Sequence, residues 1–308
     1  MAGGVVVLAG GTGGAKLARG MLDVVGPDAL TVIANTADDV VSHGAHVSPD
    51  PDLIAFWLLD RIDERGWGLD GDPFTVMDHL RALGEDPWFS LGDEDLALGL
   101  ARARRLAGGE RLTEATAALF GALGVPARVL PMCDEPVRTV IRSGGRDWPF
   151  QEWMIRQGGK DGGVIEGVHF SGIGDARPTP EVCAAIAGAA AIVIGPSNPS
   201  ISIGPILEVP GMREAIAAAP AGVVAVSPLV NGASVKGPTE DFLEWAGVPL
   251  TADGIAECYA GFIDGIVADE WACRIPTLET DVLMGDAASR ARLAGEALAF
   301  AQALAARD

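Results

Sequence analysis

Gly10, Gly11, Gly13 and Gly14 fall within five positions, interrupted by Thr12 and followed by Lys16, directly after the apolar run VVVLA. Glycines let backbone N–H groups approach an anion closely, and a helix starting near Ala15 would aim its positive end at the same point. The expected chemistry is phosphate binding; a plain strand-to-helix turn is the competing reading. Neither common nucleotide signature fits. A Walker A loop needs Ser or Thr after the lysine, where Leu17 stands, and glycine where Ala15 stands. The dinucleotide fingerprint ends after Gly11-Thr12-Gly13, and no acidic residue closes the next apolar run, which stops at Asn35.

Two acidic clusters follow, Asp38-Asp39 and then Asp50 and Asp52 within Ser48-Pro49-Asp50-Pro51-Asp52. Both are expected on loops at strand ends. Carboxylates facing a phosphate cradle make chemical sense with Mg²⁺ between them, because Mg²⁺ takes one or two carboxylates plus phosphate oxygens and water. Turn and helix capping by Asp38 and Asp52 is the alternative. His43 and His46 lie between the clusters, but imidazole suits zinc or iron better than magnesium. Trp57, Trp67 and Trp88 share one segment and could wall a flat ligand or simply pack. Asp93, in Leu91-Gly92-Asp93, reads as a helix cap. Two polar, proline-stiffened loops, 195–205 with Ser197 and Asn198 and 227–238 with Ser227, Asn231 and Lys236, are longer than the roughly two to six residues of ordinary αβ connections.

The elements that must position these residues alternate. Unbroken apolar runs at 5–9, 30–34, 191–195, 222–227 and 265–268 read as parallel strands buried on both faces. Helical patterning covers 15–25, 52–63, 75–83, 93–107, 113–123, 179–188, 212–219, 253–261 and 287–306. The expectation is a doubly wound, Rossmann-like α/β fold with a mostly parallel sheet. Between residues 51 and 123 helices cluster after the second strand, and from 128 to 170 short β-like runs follow. The chain therefore reads as one domain over 1–308, its core at about 1–50 and 171–308 and an insertion at about 51–170.

Forty-two acidic against 22 basic residues give a formal charge of −20, which disfavours a nucleic-acid surface. Lysines number three, and Lys16 and Lys236 both lie in glycine-containing segments while Lys160 does not. Cys133, Cys183, Cys258 and Cys273 form no C-x-x-C pair, which suits a reduced cytoplasmic protein. With no basic-apolar leader and no apolar run near the 18 or so residues of a membrane span, the chain is expected to be soluble and untargeted.

Seven motifs in order resemble the CofD family, the 2-phospho-L-lactate transferases of coenzyme F420 biosynthesis, called FbiA in actinobacteria: AGGTGGAK, ANTADD, SPDPD, LGDEDLA, LPMCDEPVRT, IGPSNPSISIGPIL and AVSPLVNGASVKGP. The resemblance spans nearly the whole chain. It implies transfer of a phospholactyl-type unit from a guanosine diphosphate conjugate to the ribityl hydroxyl of the deazaflavin Fo, releasing GMP and needing Mg²⁺. By that resemblance Asp39 and Asp50, with Asp38, hold the metal; Gly10, Gly11, Thr12, Gly13, Gly14 and Lys16 take phosphate oxygens. Asp52 sits at the Fo hydroxyl as orienter or base, so that Asp39 and Asp52 are the catalytic pair. Trp88 and Ser90 meet the ring, and Ser197, Asn198, Ser227, Asn231 and Lys236 bind the guanosine side. Some relatives carry lysine where Ser90 stands. A homodimer without nucleic-acid or membrane partners is implied as well. The related YvcK-type group, which binds nucleotide sugars as a regulator without turnover, is the alternative; a Rossmann dehydrogenase is disfavoured by the broken fingerprint.

Overall fold

Alternation inside the buried runs decides the architecture. In β1 (Gly4–Ala9), Val5, Val7 and Ala9 join one apolar cluster while Val6 and Leu8 join another on the opposite face. Side chains of a strand point alternately to the two faces, so a run apolar at every position needs helices on both sides. The computed structural model describes residues 3–156 and 163–306, so Lys160 lies outside the described residues.

After β1 the chain enters α1 (Gly11–Val25), β2 (Leu30–Ala34), a hairpin of β3 (Val40–Ser42) and β4 (Ala45–Val47), and α2 (Pro49–Leu58). Then come α3 (Thr75–Ala82), α4 (Asp93–Ala107), α5 (Leu112–Leu123) and β5 (Arg128–Pro131). A small antiparallel sheet of β6 (Arg138–Ser143), β7 (Arg146–Pro149) and β8 (Ile165–Ser171) encloses α6 (Phe150–Arg156) in sequence. The chain continues through α7 (Pro180–Ala187), β9 (Ala189–Ile194), α8 (Gly204–Glu208), α9 (Met212–Ala217) and β10 (Gly222–Val226). A tight hairpin, β11 (Leu229–Val230) and β12 (Ala233–Ser234), precedes α10 (Thr239–Trp245), α11 (Ala252–Cys258), β13 (Gly265–Ala268), β14 (Thr277–Glu279) and α12 (Ala287–Ala305).

Seven strands form the central sheet in the order β14-β13-β10-β9-β1-β2-β5, every pairing parallel. Counting only these strands, the order is 3-2-1-4-5-6-7, the doubly wound arrangement expected from the sequence. The order reverses between β1 and β9. At such a switch point the connections leave in opposite directions and open a crevice at the carboxyl ends of the strands.

Several elements differ from the sequence reading. Residues 128–131, expected within the β-rich excursion, pair with β2 as an edge strand of the main sheet. The segment 150–156, read as β-like, is helical because Phe150 and Trp153 pack against Phe242 of α10, itself unanticipated. Residues 199–203 form a wide helical turn leading into α8, not an open loop. β14 is too short and too polar to stand out as an apolar run.

Candidate active site

Helix α1 starts four residues earlier than expected, at Gly11, so the glycines form its first turn. Glycine is a poor helix former; close packing explains its presence, since a Cβ on Gly13 would land on the Pro196 carbonyl oxygen in the loop leaving β9. The two strand-end segments meet at the switch point through that contact. The amides of Thr12 and Gly13 have no intrahelical acceptor by the geometry of a first turn. Gly11 N donates to Asp50 Oδ1 at 2.7 Å.

Asp50 reaches that amide because SPDPD is not a loop. Pro49 occupies the first position of α2, where its fixed φ favours helix, so Asp50 and Asp52 both sit in the first turn, where carboxylates suit the helix dipole. The carboxylates and the glycine turn thus share one wall instead of facing each other. Asn35, at the end of β2, joins the clusters: its Nδ2 donates to Asp38 Oδ2 at 3.1 Å and to Asp50 Oδ2 at 2.9 Å. Burial, then the charge of Asp50, pushes the Asp38 carboxyl well above the usual carboxylate range. Burial also raises Asp50 to about 6, against the hydrogen bonds from Gly11 and Asn35.

Asp39 and Asp52 are committed elsewhere. Asp39 Oδ1 accepts from Ser48 Oγ at 2.7 Å, and its Oδ2 lies 2.8 Å from His46 Nε2. Asp52 forms a bidentate pair with Arg102 of α4, a side chain with no exposed surface. Arg102 also donates to the His46 carbonyl at 2.9 Å. Burial raises the Asp52 carboxyl, and the guanidinium opposes that rise. With both oxygens held by a cation, Asp52 is suited to positioning and not to free proton exchange.

A cavity of about 730 Å³ opens at the switch point. Gly10, Gly11, Thr12, Gly13, Lys16, Asp38, Asp50, Asp52, Ser90, Ser197, Asn198, Ser227 and Lys236 all line it. Four expected residues do not. Gly14 is packed against Ala9 and Ser197. Asp39 is turned to Ser48 and His46 as described. Asn231 makes the left-handed turn between β11 and β12, its amide on Asp269. Trp88 packs at a tilt against Phe89 with the Arg156 guanidinium over its ring, and Phe89 lines the cavity in its place. Of the other tryptophans, Trp57 is core and Trp67, 56% exposed, lines the cavity mouth.

The cations converge as the lysine placement suggested. Lys16 Nζ donates to the Met284 carbonyl at 3.2 Å, and burial with the charges of Lys236 and Arg290 lowers its pKa. Lys236 Nζ donates to the Arg65 carbonyl at 2.7 Å and lies 3.9 Å from the Trp67 ring centroid. Asn198 Oδ1 accepts from the amides of Ser200 and Ile201, which fixes the side chain and leaves its buried Nδ2 without a partner. An orphan buried donor of that kind is costly unless a ligand supplies the acceptor.

Sequence reasoning missed Arg102, Asn35, Asp72 and Asp95. Asp72 lines the cavity and caps α4 from outside, accepting from the amides of Glu94 at 2.9 Å and Asp95 at 3.1 Å. Gly92 permits this, since a Cβ there would occupy the Asp72 carboxylate. Asp93 is therefore the first residue of α4 and not its cap; its carboxylate accepts from Val76 N of α3 at 3.0 Å.

Sheet order and crevice position define the class, a Rossmann-like α/β protein with its cavity at the carboxyl ends of β1 and β9. Within that class the sequence decides the family. The family model described as 2-phospho-L-lactate transferase CofD matches residues 5–290, and this chain belongs to that family. It is 41% identical over 316 residues to the phosphoenolpyruvate transferase of Kitasatospora aureofaciens, covering 97% of this chain and 98% of the relative. It is 37% identical over 268 residues to the 2-phospho-L-lactate transferase of Methanosarcina mazei, covering 86% and 87%. A crystal structure of a UPF0052-family protein from Bacillus halodurans shares the fold with a TM-score of 0.60 at 19% identity, covering 97% of this chain and 99% of that one. No helix among the described residues is long and apolar enough to cross a membrane.

Proposed function

We propose that this chain transfers a phospholactyl, enolpyruvyl phosphate or glyceryl phosphate unit from a guanosine diphosphate conjugate to the ribityl hydroxyl of the deazaflavin Fo, releasing GMP. The observation that carries the reading is the mixed lining of one cavity. Glycine-turn amides, Lys16, Lys236 and the orphan Asn198 Nδ2 suit a nucleoside diphosphate, whereas Phe74, Phe89 and Leu91 suit a flat ring. Displacement at phosphorus needs in-line placement and charge neutralisation more than a covalent nucleophile.

The residues present fit a bound Mg²⁺. Asp38 Oδ1 is buried without a partner, and Asp38 and Asp50 are held side by side by Asn35. Among the described residues no group of three or more His, Cys, Asp or Glu could hold a metal alone. Mg²⁺ takes one or two carboxylates, with substrate phosphate oxygens and water completing its shell. Asp38 and Asp50 would hold it, and it would neutralise charge on the diphosphate. Asn35 orients both carboxylates, the α1 amides and Lys16 bind phosphate oxygens, and the Asp52–Arg102 pair fixes α2 against α4. The relatives' names point to different three-carbon acids, and the reading extends to all three donors.

Mass spectrometry of products from Fo, Mg²⁺ and each of the three guanylated donors tests the proposal. A phosphodiester of Fo with at least one donor is expected. Absence of product with all three, together with binding of a uridine diphosphate sugar, would replace this reading by that of a nucleotide-sugar regulator.

A further inference from the structure

Five aspartates line the cavity: Asp38, Asp50, Asp52, Asp72 and Asp95. Four are committed. Asp38 and Asp50 are bound to Asn35, and Asp50 also to Gly11. Asp52 is paired with Arg102, and both oxygens of Asp72 cap α4. Asp95 differs in that its carboxylate accepts no hydrogen bond among the described residues. Its neighbours in the first turn of α4 are engaged outward, Asp93 with Val76 N and Glu94 with Arg61 at 2.9 Å.

We propose that Asp95 is the general base of the transfer, taking the proton of the hydroxyl that attacks phosphorus; this rests on the reading given above for the reaction. A rigid helix turn, its amide fixed by Asp72, presents the carboxylate to the same cavity as Phe74, Phe89, Ser90 and Leu91, the lining suited to the hydroxyl-bearing ring substrate. In the step, the hydroxyl oxygen forms a bond to the phosphorus that carries the three-carbon acid. The bond from that phosphorus to the bridging oxygen breaks, and GMP leaves with the bond's electron pair. The hydroxyl proton passes to Asp95 and then to solvent.

The surroundings suit that exchange at neutral pH. Burial, then the charges of Asp52 on α2 and of Asp72 before α3, raise Asp95 to about 7, while Arg102 on its own helix pulls the other way. A base with a pKa near the working pH combines a usable ionised fraction with enough basicity. Asp52, held by a guanidinium, lacks that freedom.

Asp95→Asn tests the assignment. With wild type and variant assayed in parallel, we expect kcat to fall by roughly 10²- to 10⁴-fold, as for loss of a general base. KM for the donor should change little, and the rise of kcat with pH through neutrality should vanish. Fo binding, followed by its own fluorescence, should persist and report folding. Asp95→Glu should recover part of kcat with a displaced acidic limb. If Asp95→Asn keeps kcat and its pH limb, or raises only KM, the assignment is overturned while the transferase reading stands. Equal losses in both variants with an unchanged limb indicate a structural role and overturn it too. If the wild type forms no Fo phosphodiester, the reaction itself is wrong and this assignment falls with it.

Discussion

Replacing Arg102 by Met leaves Asp52 buried without its counter-charge, and the cost follows from the structure. Arg102 has no exposed surface, and Asp52 is 3% exposed. Removing one partner of a buried pair typically costs about 3–5 kcal/mol. An independent bound comes from the escape available to Asp52, which is to bind a proton. Protonating a carboxyl of ordinary pKa at pH 7 costs about 4 kcal/mol, at roughly 1.36 kcal/mol per unit. The two figures agree, so about 4 kcal/mol of lost stability at pH 7 is expected. Its sign with pH is fixed: the variant's folded-state Asp52 pKa lies above its unfolded value, so the penalty grows as pH rises above the unfolded pKa and shrinks as pH falls toward it. Between pH 7 and pH 5 the variant should regain up to about 2.7 kcal/mol relative to wild type. Urea unfolding at both pH values measures this. In the double variant Arg102→Met with Asp52→Leu, most of the loss should be absent, since an apolar replacement for a buried pair is often neutral. A loss below about 1 kcal/mol at pH 7, or an equal loss at pH 5, would refute the claim that this pair is buried and mutually dependent.

Asp50→Asn should abolish Mg²⁺-dependent donor binding, and the stability of the ligand-free variant relative to wild type should be highest near pH 8, where the buried charge it removes is fully present. The amide nitrogen sets a constant cost, since it replaces an acceptor of the Gly11 or Asn35 hydrogen bond. The folded Asp50 pKa of about 6 lies above its ordinary value, so the carboxylate burdens the native state most above pH 6 and ceases to do so as pH falls toward the unfolded pKa. The variant's Tm relative to wild type should fall as pH drops over that window, and a Tm difference independent of pH would contradict this account. Lys236 rests on Trp67 and the Arg65 carbonyl. Donor binding should draw it to phosphate and change Trp67 emission; a change that persists in Trp67→Phe would locate the signal elsewhere.

The fold was legible because one physical cause dominates each central strand. Runs such as 5–9 and 265–268 are apolar at every position, which only a strand covered on both faces tolerates. β14 was not legible, since an edge strand needs less apolar surface. Of the cavity lining, the glycine turn, Asp38 and Asp50 stood out in the sequence because glycine and carboxylate next to a strand end have few purposes. The start of α2 was placed three residues late, at residue 52, because Pro49 was not read as a first helical residue. Arg102 was hidden by its company, since it stands in ARARR, where Arg104 is exposed and the run reads as a solvated face. Its only signal is spacing, four residues after buried Leu98 on the same face of α4. Asp95 was hidden in the same way by Asp93 and Glu94, and only the hydrogen bonds of those two neighbours separate it from them.

Placing Asp50 on the glycine turn alters the chemistry that the sequence suggested. Read as opposite walls, a cradle and a set of aspartates can bind a phosphate at one side and a metal at the other. In the structure the Gly11 amide already serves Asp50, so the helix end aims its positive charge at a carboxylate belonging to the protein. An incoming diphosphate would meet that carboxylate and Asp38 at close range, and two like charges in a low-dielectric cavity repel strongly. Lys16 offsets this only in part, because its ammonium is tied to the Met284 carbonyl and its pKa is lowered by burial and by the charges of Lys236 and Arg290. A divalent cation would remove the conflict by making the carboxylates ligands instead of competitors. On the proposed reading, the same hydrogen bond that raises the cost of binding an anion alone would favour binding the anion together with a metal, and a glycine turn lacking the Ser or Thr of a Walker loop would then still serve phosphoryl transfer.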